Sequence, residues 1–196
     1  MCPTRLLRLL LLLVVMAIPA VAHSQSSTPF GTVALSLGSA LEIDRSSNLV
    51  SWDGAPGIEA RVLLPFYLGS VELGATQSSY RSIVAGVPGF RARYVFIGWN
   101  AGARPARRLV ARAGTRIGVY DLQFDDESLP DYSRSENEVA AELMTEIDLG
   151  LGRRWSAVAG AGGRIVFTEP RMRQLSLSLA LRRTFAAPEW LRDFLD

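Results

Sequence analysis

Ten charged residues stand out by their spacing: Glu59, Arg61, Glu72, Arg112, Arg116, Glu142, Glu146, Asp148, Arg164 and Arg182. Each sits one position away from apolar neighbours. Carboxylates and guanidiniums gathered in one space can move protons, hold a cation or pair into an ionic core. Glu142, Glu146 and Asp148 invite the first two readings. Their alternation with Leu143, Ile147 and Leu149 favours the third, since a period of two puts all acids on one face of a strand. Catalysis lacks its other parts. The single histidine, His23, lies in a polar leader, and no serine–histidine–carboxylate set can be assembled. The chain is therefore expected not to be an enzyme. Asp125-Asp126-Glu127 and Asp131 carry oxygen ligands but lack EF-hand spacing, so they read as a solvated acidic loop. Gly160-Ala161-Gly162-Gly163 is followed by no Lys-Ser/Thr and opens no helix, so it is not a phosphate loop. Small residues there let a neighbouring strand or side chain come close. No metal and no cofactor is expected.

The elements that must position these charges are strands. Leu175, Leu177, Leu179 and Leu181 alternate with Ser176, Ser178 and Ala180 before Arg182-Arg183-Thr184-Phe185. The same period appears over Phe30–Ile43, from Ile58 to Phe66, from Val71 to Ser78, from Leu109 to Tyr120 and from Trp155 to Phe167. Phe90–Asn100 keeps it poorly, because Val95 and Ile97 oppose Tyr94 and Phe96, which are also apolar. Glu138–Leu149 also fits helical spacing through Val139, Leu143 and Ile147; its strict alternation favours a strand. About eight strands result, each of bilayer-crossing length. Residues 44–56, 81–89 and 121–137 read as long loops, and those near 69, 101–108 and 152–154 as shorter links.

The N-terminus carries an export signal. Arg5 and Arg8 precede the apolar run Leu9–Ile18, and Ala20-Val21-Ala22 fits a small-x-small cleavage pattern. Residues 1–22 are thus read as a cleaved signal, 23–29 as a leader, 30–185 as the barrel and 186–196 as a tail. Cleavage removes Cys2, leaving no disulfide or thiolate chemistry. It also removes two arginines, leaving 19 against 19 acids. A near-neutral chain without a basic run gives no footprint for nucleic acid. In the tail, Pro188 suits a first helical turn, and Trp190, Leu191, Phe194 and Leu195 share a face.

These observations predict an all-β fold: a closed antiparallel up-and-down transmembrane barrel of about eight strands. Its apolar face meets lipid and its mixed-sign charges fill the lumen. A soluble lipocalin-like barrel is the alternative, with the apolar face turned inward around a ligand; a narrow solute conduit is another. Phe30, Phe66, Tyr67, Trp99, Trp155 and Phe185 are expected as one aromatic belt, and Tyr80, Phe90, Tyr120, Phe124 and Phe167 as the other.

Signal, alternating strands and the Leu175-to-Phe185 closing segment together resemble the small OmpA-type and OmpX-type outer-membrane barrels. The resemblance covers nearly all of the chain after the signal and is one of pattern, not of a unique motif. It implies residence in outer-membrane lipid and handling by the barrel assembly machinery, which in such barrels reads a closing strand ending in an aromatic. Leu175, Leu177, Leu179, Leu181 and Phe185 match that signal. The departure is that eleven residues follow Phe185. No peptidoglycan-binding domain is expected after the barrel. The resemblance implies a structural or surface-interaction role without naming a surface partner, and eight strands are too few for a general-diffusion pore.

Overall fold

A computed structural model describes residues 31–44, 51–125, 135–169 and 171–195. The expected signal peptide and leader, and most of the acidic loop containing Asp126, Glu127 and Asp131, lie outside the described residues. Eight strands follow one another: β1 (Thr32–Asp44), β2 (Trp52–Phe66), β3 (Gly69–Ser82), β4 (Phe90–Ala106), β5 (Leu109–Phe124), β6 (Ser135–Gly150), β7 (Trp155–Val166) and β8 (Met172–Ala186). A short helix, α1 (Glu189–Leu195), comes after them. Each strand pairs antiparallel with the next, and β1 pairs β8 from Thr32↔Ala186 to Asp44↔Gln174, closing the barrel. Closure leaves no strand edge, which a lipid environment demands. No helix among the described residues is long and apolar enough to cross a membrane.

Alternation decides the two faces. Leu143 and Leu179 are each 69% exposed, whereas Glu142 and Glu146 between the outward positions of β6 are 3% exposed. Two outward polar groups are satisfied locally. Ser39 donates to the Gly57 carbonyl at 2.9 Å and Thr145 to the Ala161 carbonyl at 3.3 Å, so neither leaves a free donor in hydrocarbon. An apolar face turned outward is the opposite of what a lipocalin-like cavity needs. Residues 138–149 form strand rather than helix, as the alternation indicates.

Strands reach further than the loop residues suggested. β2 begins at Trp52, inside the expected 44–56 loop, and β4 continues to Ala106, through the expected 101–108 turn. Similarly, β5 runs to Phe124 and β6 starts at Ser135. In β2 and β4 the turn signals are prolines absorbed into the sheet. The register slips between Ala55 and Ile58, around Pro56, and between Ala103 and Ala106, around Pro105. A proline has no N–H for the ladder, and a bulge accommodates it. Links at 67–68, 107–108 and 151–154 are short. Tyr67 takes a left-handed φ of 47° in the first of them, as in the primed turns that two-residue hairpins favour. All three short links lie at one end of the barrel, the periplasmic end in outer-membrane barrels.

Candidate functional site

The lumen holds an ionic core with contributions from seven strands. Arg116 of β5 stands at its centre. Its guanidinium lies 2.7 Å from Glu72, 3.5 Å from Glu142, 3.7 Å from Glu146 and 3.8 Å from Glu59. Arg61 meets Glu59 at 3.0 Å, Glu72 at 3.6 Å and also Glu146. Arg182 bridges Glu146 at 2.9 Å and Asp148 at 2.6 Å, and Arg112 reaches Asp148 at 3.4 Å. Toward the long-loop end, Arg164 pairs with Glu42 and with Glu142 at 3.3 Å. Every one of the ten expected lumen charges thus joins one connected network. All but Arg112, which is half-buried, are buried.

Register explains which charges meet. Arg116 and Glu142 are cross-strand partners on β5 and β6, and Glu142 faces Arg164 on β7. Contacts such as Arg61–Glu146 span the lumen instead, between strands that are not neighbours. Lumen glycines make room. A Cβ at Gly162 would stand 2.5 Å from the Glu142 carboxylate and 2.7 Å from the Ser176 hydroxyl. The Gly160–Gly163 run therefore admits side chains, as its small residues suggested.

The structure adds members that the sequence reading left out. Glu42 lies between the outward Leu41 and Ile43, so strand parity alone marked it as inward. It accepts hydrogen bonds from Tyr80 at 2.8 Å and Tyr120 at 3.1 Å. Gln174 donates to the Tyr120 oxygen at 3.0 Å, and Ser176 to Glu142 at 2.7 Å. Arg164 lies 4.1 Å from the Tyr94 ring centre, and Arg116 4.6 Å from that of Phe96, within cation–π range.

The second aromatic belt needs correction. Tyr80, Phe90 and Tyr120 do not face the bilayer; they are buried in the lumen with Tyr94, Phe96 and Leu122, and Trp52 and Phe124 pack against them. Of the residues expected there, Phe167 is exposed. The physical reason is parity: these rings share the inward face with the charges and cap the ionic core, Tyr80 stacking on Phe90 at 4.5 Å. The β4 alternation looked poor because its inward face is aromatic. At the short-turn end Tyr67, Trp99 and Trp155 are exposed; Phe30 lies outside the described residues.

Little space is left among the central charges. The cavity among Glu59, Arg116, Glu142, Glu146 and Arg164 measures about 10 Å³, room for no more than one water. Asp125, from the acidic loop, faces Arg91 at 3.9 Å. Leu177, Leu179 and Leu181 of the closing strand are exposed on the outer face, and Leu175 and Phe185 half-buried there.

Solved structures share this architecture. Neisserial surface protein A matches with a TM-score of 0.58 at 13% identity, over 79% of this chain and 96% of that one. Ail, the attachment invasion locus protein of Yersinia pestis, matches at 0.51 with 12% identity, over 79% and 99%. Ail in complex with the heparin analogue sucrose octasulfate matches at 0.53 with 10% identity, over 79% and 99%. At such identities the likeness is one of fold. The fold is that of the small eight-stranded outer-membrane β-barrels to which these structures belong. No protein-family model matches the chain, and no curated protein matches it in sequence.

Proposed function

We propose that this chain is a closed outer-membrane barrel with a structural or surface-interaction role, holding its long loops at the cell surface, and that it is not a pore. The observation that carries the reading is a connected ionic core across the lumen under an aromatic cap, with about 10 Å³ free among the central charges. An ion crossing it would have to displace paired guanidiniums and carboxylates from a site of low dielectric, which costs several kcal/mol for each charge left alone. The ten lumen charges act here as a plug rather than as a conduction path or an acid–base site. Leu175, Leu177, Leu179, Leu181 and Phe185 are proposed as the segment read by the barrel assembly machinery, supported by their place on the strand that closes the barrel.

The deciding experiment is conductance of the purified protein in planar bilayers. Background current for wild type and for Glu146→Gln is expected. Large, stable conductance steps in the wild type would falsify the plug and make a channel the better reading.

A further inference from the structure

The two rims of the barrel differ in charge. The short-turn rim carries Arg104, Arg107, Arg108, Arg153, Arg154 and Arg183, all exposed. The exposed acids near it, among the described residues, are Glu189 and Asp193 of α1; Asp148 at that end is buried against Arg112 and Arg182. On the opposite rim Arg81, Arg91 and Arg93 stand beside Asp53, Asp121 and Asp125, so charge there is mixed. A positive rim flanking an apolar band lies at headgroup height, where anionic lipid is attracted.

One of the six arginines is held in place. Arg183 of β8 pairs across the sheet with Trp155 of β7. Its guanidinium lies 5.2 Å from the Trp155 ring centre and 4.9 Å from that of Phe185. Both rings restrain the side chain, so a phosphate meeting it immobilises little that was free. Arg153 and Arg154 immediately precede Trp155, and the Arg154 carbonyl accepts the Thr184 N–H at 2.9 Å, tying that turn to β8.

An apolar groove runs from this cluster along the lipid face. Its floor is Ala157, Ala159, Ala161 and Gly163 of β7. Its walls are the outward rows of the neighbours, Leu143, Thr145, Ile147 and Leu149 on β6 and alternate leucines on β8. Six strand steps make the floor about 20 Å long, enough for the roughly 15 Å that one leaflet contributes to the hydrocarbon core. Positive charge at one end and an apolar floor below it match one chemistry.

We propose that the β7 groove binds one anionic glycerophospholipid of the leaflet on the short-turn side. Arg183, with Arg153 and Arg154, takes the phosphate, and an acyl chain lies between the β6 and β8 walls. The inference rests on the membrane-spanning reading and goes beyond it by naming a site and a lipid class.

Native mass spectrometry of the delipidated protein in neutral micelles tests it, with phosphatidylglycerol titrated against phosphatidylcholine. One phosphatidylglycerol should be retained in preference. Arg153→Gln, Arg154→Gln and Arg183→Gln together should weaken it roughly a hundredfold, at about fivefold per arginine. The matching triple at Arg104, Arg107 and Arg108 should weaken it far less. Ala159→Leu, which raises the floor and leaves every arginine in place, should also weaken it, and this variant decides if the triple fails to fold. Equal losses from both triples would show diffuse rim attraction and overturn the site. So would displacement by inorganic phosphate, or a dimer whose formation excludes the lipid, which would put a second copy in the groove. A chain that stays soluble without detergent overturns the membrane reading itself; a folded, micelle-bound chain without phosphatidylglycerol preference overturns only the lipid site.

Discussion

Arg116 shows how unevenly the lumen charges matter. Four carboxylates lie within 4 Å of its guanidinium. The described lumen network holds six acids, Glu42 included, against five arginines, so removing an arginine deepens an existing excess of negative charge. Arg116→Met should therefore lower stability by about 3–5 kcal/mol, the usual consequence of stranding buried charge. Glu59→Gln is the contrasting change. Its partners Arg61 and Arg116 both keep other carboxylates, Glu72 and Glu146 among them. Its loss should cost no more than about 1 kcal/mol, near that of one ordinary hydrogen bond. Urea unfolding of the two variants in lipid vesicles compares them directly. Equal losses would mean that the charges act singly and that the connected network has no energetic meaning.

Strands carry these residues, and their outward faces are apolar. Leu179 sits mid-strand on β8, opposite Ala159 of β7 and Ser39 of β1. Leu179→Arg should cost roughly 2–4 kcal/mol at the bilayer midplane, whereas Arg at a rim position should cost about 0–1 kcal/mol. A mid-strand loss as small as a rim loss would put that face in water. The closing strand has a separate test. Phe185→Ala removes an interfacial ring and should reduce the folded fraction inserted in cells, while protein refolded in detergent keeps its gel shift; normal insertion would sink the assembly-signal reading. Both variants concern features legible in the sequence, because period two is a local property: Leu179 and Ser178 declare their faces without knowledge of any partner strand. The same parity marks Glu42 and Tyr120 as inward, whereas the residue type of Tyr120 alone suggests an interfacial belt. What no local pattern holds is register. The contact between Arg61 and Glu146 joins residues 85 apart in sequence across the lumen, and it exists only once shear and closure are fixed. The prolines misled for a related reason: Pro56 and Pro105 signal breaks, yet a closed sheet keeps pairing on either side of a bulge.

At the scale of the whole molecule, the barrel is held twice. A ladder of backbone pairs runs around its wall, and the ionic core ties opposite walls together from within. Seven strands supply charges, and β4 supplies the Tyr94 and Phe96 rings under Arg164 and Arg116. No strand can leave without breaking contacts on several others, so unfolding should be a single cooperative transition. The core's side chains, Arg112 apart, are no more than 8% exposed. Salt screens exposed charges over a Debye length but reaches buried pairs poorly. Raising salt from ~0.1 M to ~1 M should therefore leave the urea midpoint nearly unchanged. Retention of phosphatidylglycerol by the exposed rim arginines should fall over the same range. The two responses separate the inner charges from the outer ones in one protein. A midpoint that drops steeply with salt, or a transition in two steps, would mean that water enters the core and that the lumen is looser than the paired charges imply.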